Sequence, residues 1–594
     1  MNFFQAKRPS RKTIRMNPII IPRIIQISFQ HLNYIDLLKC RYVCKLWNEE
    51  ATKRLQDLVI VHLNDWHSIE KFNRVFSSHD KVSKFPLFKA VRLGKNLNLV
   101  DTNLQISLGK FASGIKELVV NTKIGSPEWR FLLVEQFVNL NELRIYGPAP
   151  FQPIISGRDV STDGKMSKLK TPVASPGSKK SQNLPNLTLL SFNLTNKKTE
   201  DIFVRRFLRD LFSLTPNLEV LEWIKEDPFL NDFQKTMFDC LMNKTKDGFM
   251  TKLKVFRCPS LTCGTKELKD ILTKGFPLKE IEVQISQEVS AHYLEHFLES
   301  QGKTLELLKL NFCPGTPLNI MVASPYTNLV HLTEITLTEY RRSIGFVGYL
   351  PCVRKLTLIR TNIKRALLSI GWSFDSQDQT ELSKSLESLY IYNDYLSREQ
   401  GNCTREIVLK LAHCFPNLRI IRLEGLDDSS VRHLLKGFNN LQELYAPMGT
   451  YSDEAFRSYT DKDQYANVNV GLASNRYVLS AFDATHLKNF TALEVESIGL
   501  GDKFITHGII HWKSLRSLTI KYARISFQTL TRLLFELDLH RLRLQYCTVL
   551  TDRVLEVLDD PVEMIHDDDS LDLSHDMIQK WRFGSFRMLF VQVP

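Results

Sequence analysis

The chain has 594 residues, of which 43% are hydrophobic and 24% charged, and carries a net charge of +13. Its length supports a large core or one elongated array. Ten cysteines with no C-x-x-C pair argue against a disulfide framework and a zinc ribbon, and no run approaches the ~18 apolar residues of a membrane helix.

The first 16 residues hold Lys7, Arg8, Arg11, Lys12 and Arg15 and no acid, which reads as a basic, disordered tail. The apolar stretch after it is broken by Pro18, Pro22, Arg23 and Gln26 and has no small-residue cleavage site, so it is not a signal peptide. A second basic cluster lies between Ser156 and Lys180. Together the two hold +9 of the +13, which leaves the folded body no basic footprint for nucleic acid.

Residues 17–56 predict three short amphipathic helices. Pro22 suits a first helical position, and Ile24, Ile27, Phe29 and Leu32 follow with Ile25 between them. Asp36-Leu37-Leu38 opens the second helix, with a carboxylate near its N-terminus. Val43-Cys44 and Trp47 supply the apolar side of the third. So small a unit cannot bury that many apolar groups alone. The residues Ile21-Pro22, Ile25, Phe29, Leu32, Asp36-Leu37, Val43-Cys44 and Trp47 resemble the F-box pattern, with Ile21 where Leu is usual and Arg23 where an acid is common. That resemblance implies an adaptor-binding segment using Pro22, Ile25, Phe29, Leu32, Leu37, Val43, Cys44 and Trp47.

Residues 57–594 repeat the unit L-x-x-L-x-L in steps of mostly 20 to 35 residues. Clear copies are Leu539/Leu542/Leu544, Leu418/Ile421/Leu423, Leu386/Leu389/Ile391 and Leu305/Leu308/Leu310, and weaker ones are Phe88/Val91/Leu93 and Leu55/Leu58/Ile60. Alternation makes a short strand with one buried face, and apolar residues at helical spacing, such as Val431, Leu434, Leu435 and Phe438, return the chain. Each unit needs a neighbour to cover it. The pattern resembles the leucine-rich repeats that accompany F-boxes. The expected fold class is therefore α/β: a three-helix F-box, then a horseshoe solenoid with parallel strands concave and helices convex.

Two stretches break the period. Residues 147–183, rich in Pro, Gly, Ser and Lys, predict a disordered insertion, with Thr171-Pro172 and Ser175-Pro176 as candidate phosphorylation sites. Residues 447–490, rich in Tyr, Asp and Asn and followed by a weak strand near Ile498, predict a second, irregular insertion, either an ordered one or a degenerate repeat.

No nucleotide loop or nucleophile motif occurs. His292, Glu295 and His296 have the H-x-x-E-H order of some zinc peptidases, but they fall on an expected repeat helix without an evident third ligand. In the concave groove, Tyr390, Tyr392, Arg422 and Tyr445 are expected to line the centre, with Glu424 and Pro447 beside them. Lys521, Arg541 and Arg543 are expected to make the C-terminal end basic.

The resemblance implies a non-catalytic substrate receptor of a Skp–cullin–F-box ubiquitin ligase. The F-box would bind a Skp-type adaptor, and through it a cullin–RING ligase, while the repeats capture a protein target. No cofactor, metal, nucleic acid or membrane is expected, and reduced thiols place the chain in cytoplasm or nucleus. The alternatives are a Skp-binding scaffold without a role in degradation and, from another class, a zinc hydrolase on His292/Glu295/His296.

Overall fold

The structure, a computed structural model, describes residues 20–30, 32–77, 88–95, 97, 104, 108–109, 111–121, 137–147, 184–194, 201–224, 231–245, 251–313, 329–340, 350–361, 385–392, 403–456, 487–550 and 570–574. The basic tail, the phosphorylation candidates Thr171 and Ser175, the first insertion beyond Gly147, and residues 457–486 of the second lie outside them. Contacts divide the chain into two compact units, Met1–Leu261 and Thr262–Pro594.

The first unit begins with three helices, α1 (Ile20–Phe29), α2 (Tyr34–Cys40) and α3 (Lys45–Leu58). Then follow β1 (Ile60–Leu63), α4 (Trp66–Ser77), β2 (Ala90–Leu93), β3 (Glu117–Val120), β4 (Glu142–Gly147) and β5 (Leu189–Leu194). Next come α5 (Asp201–Leu214), β6 (Val220–Trp223), α6 (Asn231–Thr245) and β7 (Val255–Cys263), within which the unit ends at Leu261. The strands from β1 to β7 pair in parallel in chain order. One buried column crosses them, Val91 to Leu118, Leu143, Leu190, Leu221 and Phe256.

The expected repeat Leu55/Leu58/Ile60 is out of register. Val61 pairs with Val91 and Leu63 with Leu93, so Val61 and Leu63 take the inward column. Leu55 belongs to the helical core, and Leu58 and Ile60 are exposed. The helix runs on through this segment and consumes the leucines that matched the strand pattern.

The second unit holds α7 (Thr265–Lys274), β8 (Glu280–Ile285), α8 (Ala291–Gln301), β9 (Leu307–Phe312), β10 (Glu334–Thr338), β11 (Lys355–Ile359) and β12 (Ser388–Tyr392). It continues through α9 (Arg405–Cys414), β13 (Ile420–Arg422), α10 (Asp428–Gly437), β14 (Glu443–Ala446), β15 (Ala492–Glu496), α11 (Asp502–His507) and β16 (Ser517–Lys521). The last elements are β17 (Arg524–Ser526), α12 (Phe527–Glu536), β18 (Arg541–Gln545), β19 (Thr548–Leu550) and β20 (Ser570–Ser574). Strands β8 to β16 and β18 again pair in parallel. They align Ile281, Leu308, Ile335, Leu356, Leu389, Ile421, Leu444, Leu493, Leu518 and Leu542 in one column. Burial alternates along β8, where Ile281, Val283 and Ile285 are buried and the residues between them are half-exposed. This is the expected α/β leucine-rich-repeat fold. The last parallel strand, β18, pairs on its far side with β20, which runs antiparallel.

Two recurrent devices join consecutive repeats. Two residues past the last inward strand position the backbone is left-handed: at Glu339, Arg360, Gly425, Met448, Tyr522 and Tyr546, with φ between 52° and 69°. The reversal sends the chain off the sheet, and in places it then pairs again, as in β17–β19 and the Cys403–Leu426 and Ser452–Gly499 bridges. The second device is an aspartate at a helix N-terminus that accepts a backbone N–H from the next repeat. Asp428 accepts from Ser452 and Asp502 from Ser526, each at 2.7 Å, and Asp453 of the intervening 3-10 turn accepts from Gly501 at 2.7 Å. A carboxylate there also meets the positive end of the helix dipole.

The expected strand near Ile498 lies earlier. Phe490, Leu493 and Val495 are its inward residues, and Ile498 is 83% exposed. Residues 447–456 and 487–490 are regular parts of the repeat, and Tyr451, expected in an irregular insertion, is fully buried. Its hydroxyl donates to the Ala446 carbonyl and accepts the Glu496 N–H at 2.7 Å, while its own carbonyl accepts the Ser497 hydroxyl. Gly449 lies flat on its ring, where a Cβ would stand 1.9 Å from a ring carbon. One side chain thus fastens both ends of the long excursion between β14 and β15.

Candidate functional site

The N-terminal helices enclose a small core of Ile25, Phe29, Leu37, Cys40, Ala51 and Leu55, with Leu32, Leu38, Leu46, Trp47 and Val59 packed partly buried around it. Phe29 meets Trp47 edge to face with centroids 5.3 Å apart. Helix α2 is capped by Asn33, whose Oδ1 accepts the Asp36 N–H at 3.0 Å. Asp36 therefore sits in the first turn rather than opening the helix, and its carboxylate accepts from Asn33 Nδ2 at 2.8 Å.

A buried acid stitches α1 to α3. Glu50 accepts from Gln26 Nε2 at 2.8 Å and from Lys53 Nζ at 2.6 Å. Burial opposes its charge, but the hydrogen bonds from Lys53 and Gln26 and the Lys53 charge outweigh it and hold the carboxyl below its ordinary value.

The helical bundle leaves large apolar groups outside. Ile27 of α1 is 54% exposed, Ile35 of α2 63%, and Tyr42 and Val43 of the turn before α3 are 91% and 60% exposed. Val43 and Cys44 were expected on the apolar side of the third helix. Instead Val43 lies in the turn and Cys44 is the exposed N-cap of α3, because the helix begins only at Lys45. Trp47 is half-buried, not core. Pro22 lies in the first turn of α1. Isolated exposed apolar residues are ordinary; here four, Ile27, Ile35, Tyr42 and Val43, lie on one short bundle.

On the open face of the second unit, the register sets Tyr390 opposite Arg422, Arg422 opposite Tyr445, and Tyr445 opposite Glu494. The Arg422 guanidinium carbon stands 4.7 Å from the Tyr392 ring centre, and Lys355 Nζ 6.0 Å from that of Tyr390. The Tyr445 hydroxyl donates to Glu443 at 2.6 Å; burial first, then that bond and the Glu443 charge, push its phenol well above the ordinary range. The structure thus brings together the four central residues expected from the repeat spacing. Glu424 and Pro447, expected beside them, are buried, because the chain has by then turned off the sheet.

At the C-terminal end, expected to be basic, Lys521 is paired with carboxylates. Lys521 Nζ lies 2.8 Å from Glu494 and 3.5 Å from Glu496, and Arg543 stands in register with Asp572 of β20. Arg541 is exposed in register with Ser574. Charge balance here depends on strands far apart in sequence, which local counting of Lys and Arg does not see.

His292 and His296 are exposed on α8, and Leu294, Phe297 and Leu298 form its buried side. Burial raises the Glu295 carboxyl above its ordinary value, against the pull of His292. Among the described residues no group of three His, Cys, Asp or Glu side chains is placed to hold a metal ion. Also among them, no helix is long and apolar enough to cross a membrane.

Residues 22–54 match the family model described as the F-box domain. No curated protein matches the chain. Similar solved structures include the Rad7 and Elc1 complex in yeast, with a TM-score of 0.32 at 15% identity over 73% of this chain and 95% of that one. A leucine-rich-repeat protein of Leptospira interrogans has a TM-score of 0.28 at 13% identity over 72% and 88%. An internalin of Listeria monocytogenes has a TM-score of 0.28 at 12% identity over 82% and 96%.

Proposed function

Proceeding from an F-box domain at residues 22–54, we propose that this chain is the substrate-recognition subunit of a Skp–cullin–F-box ubiquitin ligase. The observation that carries the reading is the bundle itself: a complete small core from which Ile27, Ile35, Tyr42, Val43 and Cys44 protrude to solvent. Apolar groups so placed suit burial against a Skp-type adaptor. The repeat sheet then presents its open face, with Tyr390, Tyr392, Arg422 and Tyr445, to a protein target. The chain breaks no bond. It holds the target's lysines near a charged ubiquitin-conjugating enzyme, and the rate gain is one of effective concentration.

The test uses the full chain and a purified Skp-type adaptor. Ile35→Glu and Val43→Glu change exposed residues, so both variants should fold and melt like the wild type while losing adaptor in a pull-down. Adaptor binding that survives the double variant, or that persists when residues 1–59 are removed, would overturn the assignment.

A further inference from the structure

On the open face of the second unit, strand lysines have carboxylate partners on adjacent strands. Lys309 lies 3.4 Å from Glu282, Lys355 3.1 Å from Glu334, and Lys521 between Glu494 and Glu496. Arg422 departs from this pattern. Among the described residues no carboxylate is within ion-pair distance of its guanidinium.

The surroundings of Arg422 hold it ready rather than satisfy it. The guanidinium lies over the Tyr392 ring at 4.7 Å, a contact that fixes its plane without using its donors. Tyr390 and Tyr445 flank it in register. The Tyr445 hydroxyl is committed to Glu443 at 2.6 Å, whereas those of Tyr390 and Tyr392 donate to no described residue.

We infer that Arg422, with Tyr390 and Tyr392, receives a single carboxylate from an extended segment of the protein target. A guanidinium fork fits a carboxylate in two parallel hydrogen bonds, and the tyrosine rings offer apolar walls to the residues beside it. Charge selects the carboxylate over a phosphate group. One uncommitted cation balances one negative charge, the nearby Lys355 is already paired, and Glu443 would repel a second negative charge. The inference rests on the reading of this face as the target-binding surface.

The test uses the full chain with its adaptor and fluorescein-labelled dodecamer peptide pools, random except for one central position fixed as Glu, Gln or phosphoserine. The Glu pool should bind the wild type at least tenfold more tightly than the Gln pool. Arg422→Gln should equalise the two, and Tyr392→Leu, which keeps the cation but removes the ring beneath it, should cut the preference several-fold. Circular dichroism melts matching the wild type establish that the variants fold. Equal binding of Glu and Gln pools by the wild type, a Glu preference intact in Arg422→Gln, or phosphoserine preferred over Glu would each overturn the inference. Adaptor capture from the same samples separates the two claims. Its loss with the Glu preference intact sinks the ligase reading and leaves the site standing.

Discussion

Tyr451→Phe isolates the bond pair that fastens β14 to β15. Phenylalanine keeps the buried ring, its edge-on contact with Phe456 at 6.0 Å and its seat on Gly449, and removes only the hydroxyl. The Ala446 carbonyl and the Glu496 N–H then lose their partner. Each unmet group costs about 1–3 kcal/mol, so about 2–4 kcal/mol together once partial relaxation is allowed. Repeats unfold by neighbourhood rather than all at once, so the loss should appear locally. Hydrogen exchange read by mass spectrometry should quicken roughly 30- to 700-fold in peptides covering 443–456 and 487–497, at about tenfold per 1.4 kcal/mol. Peptides from β8 to β10 should be unchanged. The phenol gives a second readout. Burial, before any other influence, raises its pKa above the ordinary value, so its stabilising contribution is complete below about pH 10, where the unfolded tyrosine ionises, and is lost as pH climbs toward the folded value. In urea melts above pH 10, wild type should therefore lose up to ~1.4 kcal/mol per pH unit more than Tyr451→Phe. Exchange within threefold of wild type across 443–497 would refute the claim that this hydroxyl secures the excursion.

Trp47→Ala removes a half-buried ring and its edge contact with Phe29, so it should cost about 2 kcal/mol rather than the 3–5 kcal/mol of a core aromatic, read as a lower melting point of the first unit. Cys44 is exposed, while burial pushes the Cys403 thiol up to about 12. Iodoacetamide should therefore mark Cys44 early and Cys403 last, and bound adaptor should protect Cys44. Glu50 has a lowered pKa, so its contribution is present above the ordinary glutamate value and is lost as pH falls through the folded one. Wild type should melt more steeply than Glu50→Gln below about pH 4.3. Asp502→Ala, which orphans the Ser526 N–H, should cost about 1 kcal/mol, read as faster exchange at residues 524–530.

Leucine spacing alone located most repeats, because a period of two with one buried face leaves few registers that keep Leu389, Ile421 and Leu444 inside together. The same reasoning placed Tyr390, Arg422 and Tyr445 side by side, since neighbours on adjacent parallel strands follow from register. It failed where two signals overlap. Leu55 and Leu58 satisfy both a helix and a strand pattern, and only packing onto Ile25 and Phe29 decides for the helix. It failed again for Tyr451, whose role depends on meeting Glu496 and Ser497, more than forty residues away. Lys521 looked like an open cation because its partner Glu494 stands 27 residues earlier. Asp428, Asp453 and Asp502 recur at the starts of successive turns, a signal that is legible in the sequence.

The antiparallel strand β20 bears on how the molecule behaves in a crowded solution. A row of parallel strands grows by accepting another strand of like direction along its open edge, and β18 offers such an edge, with the backbone groups of five residues. By laying Ser570–Ser574 against it head to tail, the chain occupies those groups with a strand of opposite polarity. A second molecule's repeat can no longer continue the row in register. Removing residues 565–594 should therefore leave the repeats folded yet turn them adhesive, with light scattering rising with concentration where the intact chain stays dispersed.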